Sequence, residues 1–357
     1  MKIRYIISCL LFVAFTALFY PGINAAVCEY ESIPIEPLYP LATLDHSDYG
    51  IIVKLVDFYD SIVQNEFLMD STGTHIDSSF TGLLSSYLGE DGYPTNRDGV
   101  SMATLFHNAL EINHLFPVGK PGILEFDSTQ CFASLHGDRF VVYRELGTAD
   151  FGSNATHDHG QFLPFNDLTP GLFSSVHPTN ERDALGQALP DDDPRKGEKL
   201  YAVTEDEINY YFGVEITIPF RYLEQTEEEL IAYFTGDDDL WVYIDGVLVL
   251  DLGGIHSAVP GTINFSTGKV TLRGTDGKDY ISSLYKIFQK NYESTHQNAG
   301  IREIKAYMET VFCENNRWQQ VFPDNSVHTM KIFYMERGAS AANLHISMNT
   351  PLIRKGE

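Results

Sequence analysis

Residues 234–265 read FTGDDDLWVYIDGVLVLDLGGIHSAVPGTINF, and the fold turns on this stretch. Leu240-Trp241-Val242-Tyr243-Ile244 is rich in the β-branched and aromatic types that fit a pleated surface, so it reads as a strand. Asp245-Gly246 follows as a tight turn, because both central residues of a type I′ turn need positive φ. Val247 to Leu252 is the return strand. Three aspartates, Asp237, Asp238 and Asp239, follow Thr235-Gly236 and lie at the mouth of this hairpin. Adjacent carboxylates on a short loop repel one another, and a bound cation relieves that repulsion. Calcium, which takes several hard oxygen ligands, suits such a loop. A solvated acidic turn is the plain alternative, and the spacing alone leaves both open.

Outward from the hairpin, Leu230 to Phe234 reads as the strand that feeds the acidic loop. Tyr210 to Arg221 alternates Tyr211, Gly213, Glu215 and Thr217 with Phe212, Val214, Ile216 and Ile218, the period of a half-buried strand. Four strands nearly in succession predict a mainly β chain, an antiparallel β-sandwich or barrel. Ile51 to Tyr59, Ile123 to Phe126 and Phe140 to Arg144 are further strands, Gly73 to Gly99 is loop, and Met102 to Leu115 has the apolar spacing of a short helix. The strand pattern breaks between Val270 and His328. Ile281, Leu284, Tyr285 and Phe288, then Ile301, Ile304, Met308, Val311 and Phe312, follow helical spacing and predict a two-helix insertion near 276–313 that covers one end or face of the sheet. Met330 to Tyr334 and Leu344 to Met348 close the sheet. No composition break separates the parts, so 51–357 reads as one domain behind a Pro-rich lead-in at 27–50.

The chain has 357 residues, 43% of them hydrophobic, with 23 Phe and 20 Tyr, enough for a sizeable core. Lys and Arg number 24 against 49 Asp and Glu, a formal net charge of -25. That balance disfavours nucleic acid and anionic membrane surfaces, which attract basic protein, and leaves cations and neutral sugars as partners. Residues 1–26 read as a secretory signal: Lys2 and Arg4, an apolar run from Ile6 to Phe19, then Asn24-Ala25-Ala26. No second long apolar run follows, so the expectation is a secreted, extracellular protein with no membrane insertion after signal removal. Cleavage leaves Cys28, Cys131 and Cys313, compatible with one disulfide and a free thiol. Pairing of Cys131 with Cys313 and of Cys28 with Cys131 are both open.

The stretch Gly236 to His256, GDDDLWVYIDGVLVLDLGGIH, resembles the PA14-like domain, and more closely its fibro-slime relatives, whose hallmark reads GDDDxWVxIxGxLVxDLGGxH. Phe333 to Leu344, FYMERGASAANL, looks like that family's closing FYxERGxxxSNL, with Ala342 where the family usually has Ser. Weaker echoes lie at Phe162-Leu163-Pro164-Phe165 and Val56-Asp57-Phe58. The resemblance implies a PA14-like sandwich in which two successive aspartates, joined by a cis peptide, hold a calcium that also binds sugar hydroxyls. The family's spacing to the Asp-Gly turn puts that pair on Asp237 and Asp238, and Asp239 stands where many relatives have Gly. Lectin relatives add an Asn from a later loop, which the sequence does not place. Trp241 either stacks on a sugar ring or belongs to the core. His256, after Gly253-Gly254, is either a ligand near the acidic loop or a structural hydrogen-bond partner. Glu336 and Arg337 read as a structural ion pair or a turn cap.

These readings predict a secreted calcium-dependent carbohydrate-binding or adhesion protein, its partner a glycan or cell-surface polysaccharide and its oligomeric state open. One alternative is a structural matrix or surface component braced by calcium. A second is an exported glycan-active hydrolase, which needs two carboxylates across a cleft. No Gly-x-Ser-x-Gly, His-Glu-x-x-His or P-loop nominates a nucleophile or metal base, so a non-enzyme is expected. Asn154-Ala155-Thr156 is a glycosylation sequon, and His157-Asp158-His159 and Asp191-Asp192-Asp193 read as polar turns.

Overall fold

The structure is a computed structural model that describes residues 49–58, 82–112 apart from 97, 107 and 108, the segments 124–127, 132–136, 139–143, 162–167 and 174–175, and 209–356 apart from 225, 257, 275, 316 and 338–341. The expected signal at 1–26 and most of the expected lead-in, Cys28, Cys131, the sequon, His157, His159 and Asp191 to Asp193 lie outside the described residues.

In chain order the strands are β1 (Ile52–Asp57), β2 (Leu110–Ile112), β3 (Leu124–Asp127), β4 (Phe132–His136), β5 (Arg139–Tyr143), β6 (Asn166–Asp167), β7 (Ser174–Ser175), β8 (Phe212–Arg221), β9 (Ile231–Gly236), β10 (Asp239–Ile244) and β11 (Val247–Leu252). There follow β12 (Val259–Asn264), β13 (Lys269–Arg273), β14 (Asp279–Ser283), helices α1 (Leu284–Thr295) and α2 (Ile301–Val311), β15 (Cys313–Glu314), β16 (Gln320–Val321), β17 (Val327–Glu336) and β18 (Leu344–Met348). Two antiparallel six-stranded sheets carry the fold, one ordered β11-β10-β17-β8-β1-β2 and the other β14-β13-β12-β9-β18-β3. They face each other as a sandwich over one apolar core. A Cβ on Gly261 of β12 would meet Leu250 of β11, in the opposite sheet, at 3.0 Å.

Local chemistry explains the central hairpin. Asp245 (φ 49°) and Gly246 (φ 83°) both take the left-handed conformation that the two-residue turn needs. Asp245 tolerates it because its side chain is anchored: Oδ1 accepts from the Thr329 N–H at 2.9 Å. β10 is buried at every position rather than every second one. Its second face is covered by the 82–106 segment, where Tyr243 donates its hydroxyl to Ser85 O at 2.8 Å and Leu88 N–H bonds Gly246 O. Phe106 and Tyr93 of that segment pack on Phe333 of β17.

Two expected helical positions are overturned. Only a 3-10 turn forms at Met102–Thr104, N-capped by Ser101. The chain then extends as β2, because pairing with β1 (Leu110 opposite Leu55) supplies backbone hydrogen bonds that a helix would forgo. Ile281 lies in β14, an edge strand, not in a helix. α1 starts three residues later because Ser283 takes the N-cap and accepts from the Lys286 N–H. The two-helix insertion itself is present. Leu284 and Phe288 of α1 and Met308 of α2 are buried, and Phe288 meets Phe312 edge-on at 5.3 Å. α1 packs on β11, β14 and β16. Among the described residues Cys313 has no disulfide partner, and its thiol donates to Phe322 O. Among the described residues no helix is long and apolar enough to cross a membrane.

Candidate functional site

Asp237 and Asp238 form the link by which the chain leaves β9 in one sheet and enters β10 in the other. Two more links cross the sandwich at the same end. Gly236 pairs with Val259, the start of β12, and with Leu344, the start of β18, while Asp239 pairs with Met335 near the end of β17. The β11-to-β12 and β17-to-β18 connections therefore converge on the acidic triplet. This is the end opposite the Asp245-Gly246 turn.

All three aspartates are buried, at 5%, 3% and 0% exposure. Asp237 Oδ1 accepts from the Asn343 N–H at 2.9 Å and lies 3.2 Å from the Tyr334 hydroxyl oxygen, and its Oδ2 accepts from Asn343 Nδ2 at 2.9 Å. Asp238 Oδ2 accepts from the Arg337 N–H at 2.7 Å. Asp239 is matched by the buried Arg337: Nε donates to Oδ2 at 2.5 Å, Nη2 lies 3.3 Å from Oδ1, and the Gly254 N–H donates to Oδ1 at 2.6 Å. Glu336, also buried, accepts from the Tyr334 hydroxyl at 2.7 Å. The peptide between Asp237 and Asp238 is trans, unlike the cis bond that the resemblance implies.

Four buried carboxylates thus lie at this end of the sandwich with one buried guanidinium, which bonds Asp239. Burial raises the Asp237 pKa above the usual carboxylate range. Asp238 is raised further, by burial and then by the charges of Asp239 and Asp237. Burial works against the Arg337 charge, but Asp239 beside it more than offsets this and holds its pKa up. Arg337 Nη1 is buried without a hydrogen-bond partner among the described residues. The donor set is hard oxygen and short of positive charge, which fits a calcium-like cation. Asp239 fits it least, because Arg337 already neutralises it. Among the described residues no three His, Cys, Asp or Glu side chains are grouped as metal ligands.

The other sequence candidates fall as follows. Trp241 is fully buried and donates Nε1–H to Asp251 Oδ1 at 3.0 Å, so it offers no ring face to a sugar. His256 is buried beside the triplet: its N–H bonds Asp237 O at 3.0 Å, and its Nε2 lies 3.3 Å from Leu252 O. The Tyr334 hydroxyl donates to Glu336 and the Arg337 guanidinium bonds Asp239, while the Glu336 charge also helps to hold the Arg337 pKa up. Asn343 is the residue that sequence reasoning missed. The closing FYMERGASAANL motif carries it, and β18 pairing beside β9 brings it to Asp237.

At the opposite end Ser326 Oγ lies 2.6 Å from His328 Nε2, and His328 Nδ1 lies 2.6 Å from Asp245 Oδ2. This has the order of a nucleophile–base–carboxylate relay. An oxyanion hole needs free N–H groups beside the nucleophile. Here the N–H groups of Asn325, Ser326 and Thr329 are spent on Tyr222 O, Pro323 O and Asp245 Oδ1. The His328 ring is stacked on Phe322 with centroids 3.8 Å apart. The relay pins the hairpin turn to β17, and we expect no Ser326-dependent labelling by a fluorophosphonate probe. Labelling lost in Ser326→Ala would contradict this.

No family model matches the chain. The curated proteins to which it is similar include several from Dictyostelium discoideum. Protein psiI is 37% identical over 95 residues, 27% of this chain and 12% of that protein. Protein psiR is 32% identical over 223 residues, 59% of this chain and 17% of that protein. Protein psiP is 43% identical over 83 residues, 23% of this chain and 10% of that protein. The matches thus take in well under a fifth of each relative's length. A solved structure described as the PA14 sugar-binding domain from an RTX adhesin aligns over 84% of this chain and 89% of its own, at 11% identity and a TM-score of 0.23.

Proposed function

We propose that this chain is a carbohydrate-binding or adhesion protein that acts outside the cell and binds its glycan through a calcium ion at the acidic crossover. One observation carries the reading: Asp237 and Asp238 are buried side by side, with Asn343 brought onto Asp237 from a second crossover. Asp237, Asp238 and Asn343 would hold the ion, and Asp239, tied to Arg337, would orient the loop. When bound, calcium would supply open coordination positions for vicinal sugar hydroxyls and neutralise the carboxylates. His256 serves by fixing the Asp237 carbonyl through its own N–H.

The test is calcium titration by calorimetry on the mature protein, wild type against Asp238→Ala, with thermal melts to verify folding. We expect binding in wild type and at least tenfold weaker binding in the variant. A glycan array with and without calcium then separates a lectin from a calcium-braced structural component. Wild type that ignores calcium would remove this site.

A further inference from the structure

The chain has two tryptophans, and they are opposites. Trp241 is fully buried, whereas Trp318 is 83% exposed. Trp318 stands in the turn between β15 and β16, at φ 60°. A non-glycine residue at positive φ is uncommon and strained for a bulky side chain. Turn chemistry favours Gly or Asn at such a position, and water favours a polar side chain. A large indole satisfies neither preference.

The turn that carries it is well anchored. Asn315 N–H bonds Gln319 O at 2.9 Å, and Trp318 N–H bonds Asn315 O at 3.0 Å. Asn315 Oδ1 accepts from the N–H groups of Arg317 and Gln319, and its Nδ2 donates to Ser266 O at 3.1 Å. The last bond ties the turn to the β12–β13 loop. The residue before Trp318 takes part in a polar cluster. Arg317 Nη1 reaches to 3.9 Å from Glu229 Oε1, and Glu229 Oε2 accepts from Asn264 Nδ2 at 2.8 Å. None of the other exposed large apolar side chains among the described residues lies on this hairpin, on the loop carrying Glu229 or on β12, which carries Asn264.

A protein-docking surface needs contiguous apolar area. A pyranose ring needs something different: one flat aromatic face for its C–H groups, with charged and amide side chains around it for its hydroxyls. We propose that Trp318 is a stacking platform for a pyranose ring of a polysaccharide, with Arg317 and Glu229 bonding its hydroxyls, and that this contact needs no calcium. The inference rests on the reading of the chain as a carbohydrate binder, but its site is separate from the acidic crossover and fails separately from it.

Acrylamide quenching of intrinsic fluorescence reads the site directly, because the quenchable emission belongs to Trp318. The probes are cellohexaose, chitohexaose and soluble xylan, whose β-1,4-linked rings present flat C–H faces. We expect at least one of them to shift the emission to the blue and reduce quenching at least twofold, equally with calcium and with chelator, and equally in Asp238→Ala. Trp318→Ala should weaken binding of that glycan, read by calorimetry, at least tenfold. Trp318→Phe should retain part of it, and Arg317→Ala should lose several-fold. Because the side chain is exposed, Trp318→Ala should melt as wild type does. Three results would overturn the inference: none of the three glycans shields Trp318; Trp318→Ala binds the glycan as wild type does; or shielding appears only with rising protein concentration and without glycan, which would assign the ring to a second copy of the chain.

Discussion

Arg337→Met is expected to cost about 3–5 kcal/mol, among the largest losses any single substitution in this chain can produce. The guanidinium is the one buried cation among four buried carboxylates, and it gives Asp239 two hydrogen bonds in a fully buried pair. Its removal leaves the Asp239 charge, among the described residues, with the Gly254 N–H alone. A lone ion of this kind costs several kcal/mol because neither water nor a partner compensates it. The expected structural effect is loosening of the crossover, where Arg337 N–H also holds Asp238. Chemical denaturation measures the loss. Asp239→Asn combined with Arg337→Met should recover much of it, because no charge is then left stranded. A single-variant cost below about 1 kcal/mol would show that the pair is no more than a surface-like contact.

How far this arrangement could be read beforehand follows from which contacts are local. The hairpin is legible because its turn chemistry sits in two adjacent residues, Asp245 and Gly246, and its strands in the residues either side. The acidic triplet is legible for the same reason. Its position at a sheet-to-sheet crossover is not, because nothing in TGDDDL states that β9 and β10 belong to different sheets. The partners that define its chemistry lie about a hundred residues away: Arg337 is 98 positions beyond Asp239, and Asn343 is 106 beyond Asp237. Only the topology of β17 and β18 brings them back. Trp241 shows the same limit. Period-two reasoning assumes one wet face, but the 82–106 segment, read as loop up to Gly99 and as helix from Met102, covers the second face of β10, which is buried at every position. The helix expected at 102–115 failed because β1 offered Leu110 to Ile112 a strand edge, and long-range pairing overrode local spacing.

In the absence of metal the protein is expected to be more stable at pH 5 than at pH 7.5, the reverse of what paired carboxylates usually give. Burial pushes the pKa of Asp251 up to about 6, despite hydrogen bonds from the Gly82 N–H at 2.8 Å and the Trp241 indole at 3.0 Å. Asp237 and Asp238 are raised as well, by burial and, for Asp238, by the neighbouring carboxylates. An acid whose folded pKa is raised binds its proton more tightly folded than unfolded. Its stabilising contribution is complete below the unfolded value near 4 and is lost as pH rises through the folded value. For Asp251 alone the step from pH 5 to pH 7 removes about 1 kcal/mol, and the two crossover aspartates act in the same direction. Thermal melts in chelator should therefore fall by several degrees between pH 5 and 7.5, at about 2–4 °C per kcal/mol. Asp238→Asn removes a buried charge while keeping the side-chain shape, so its melting temperature should fall less over that interval. A cation at the crossover competes with protons for the same oxygens, so added calcium should raise the melting temperature more at pH 7.5 than at pH 5. A melting temperature that rises from pH 5 to 7.5 in chelator would mean that the crossover carboxylates are compensated by charge already in the fold, and the case for a cation among them would go with it.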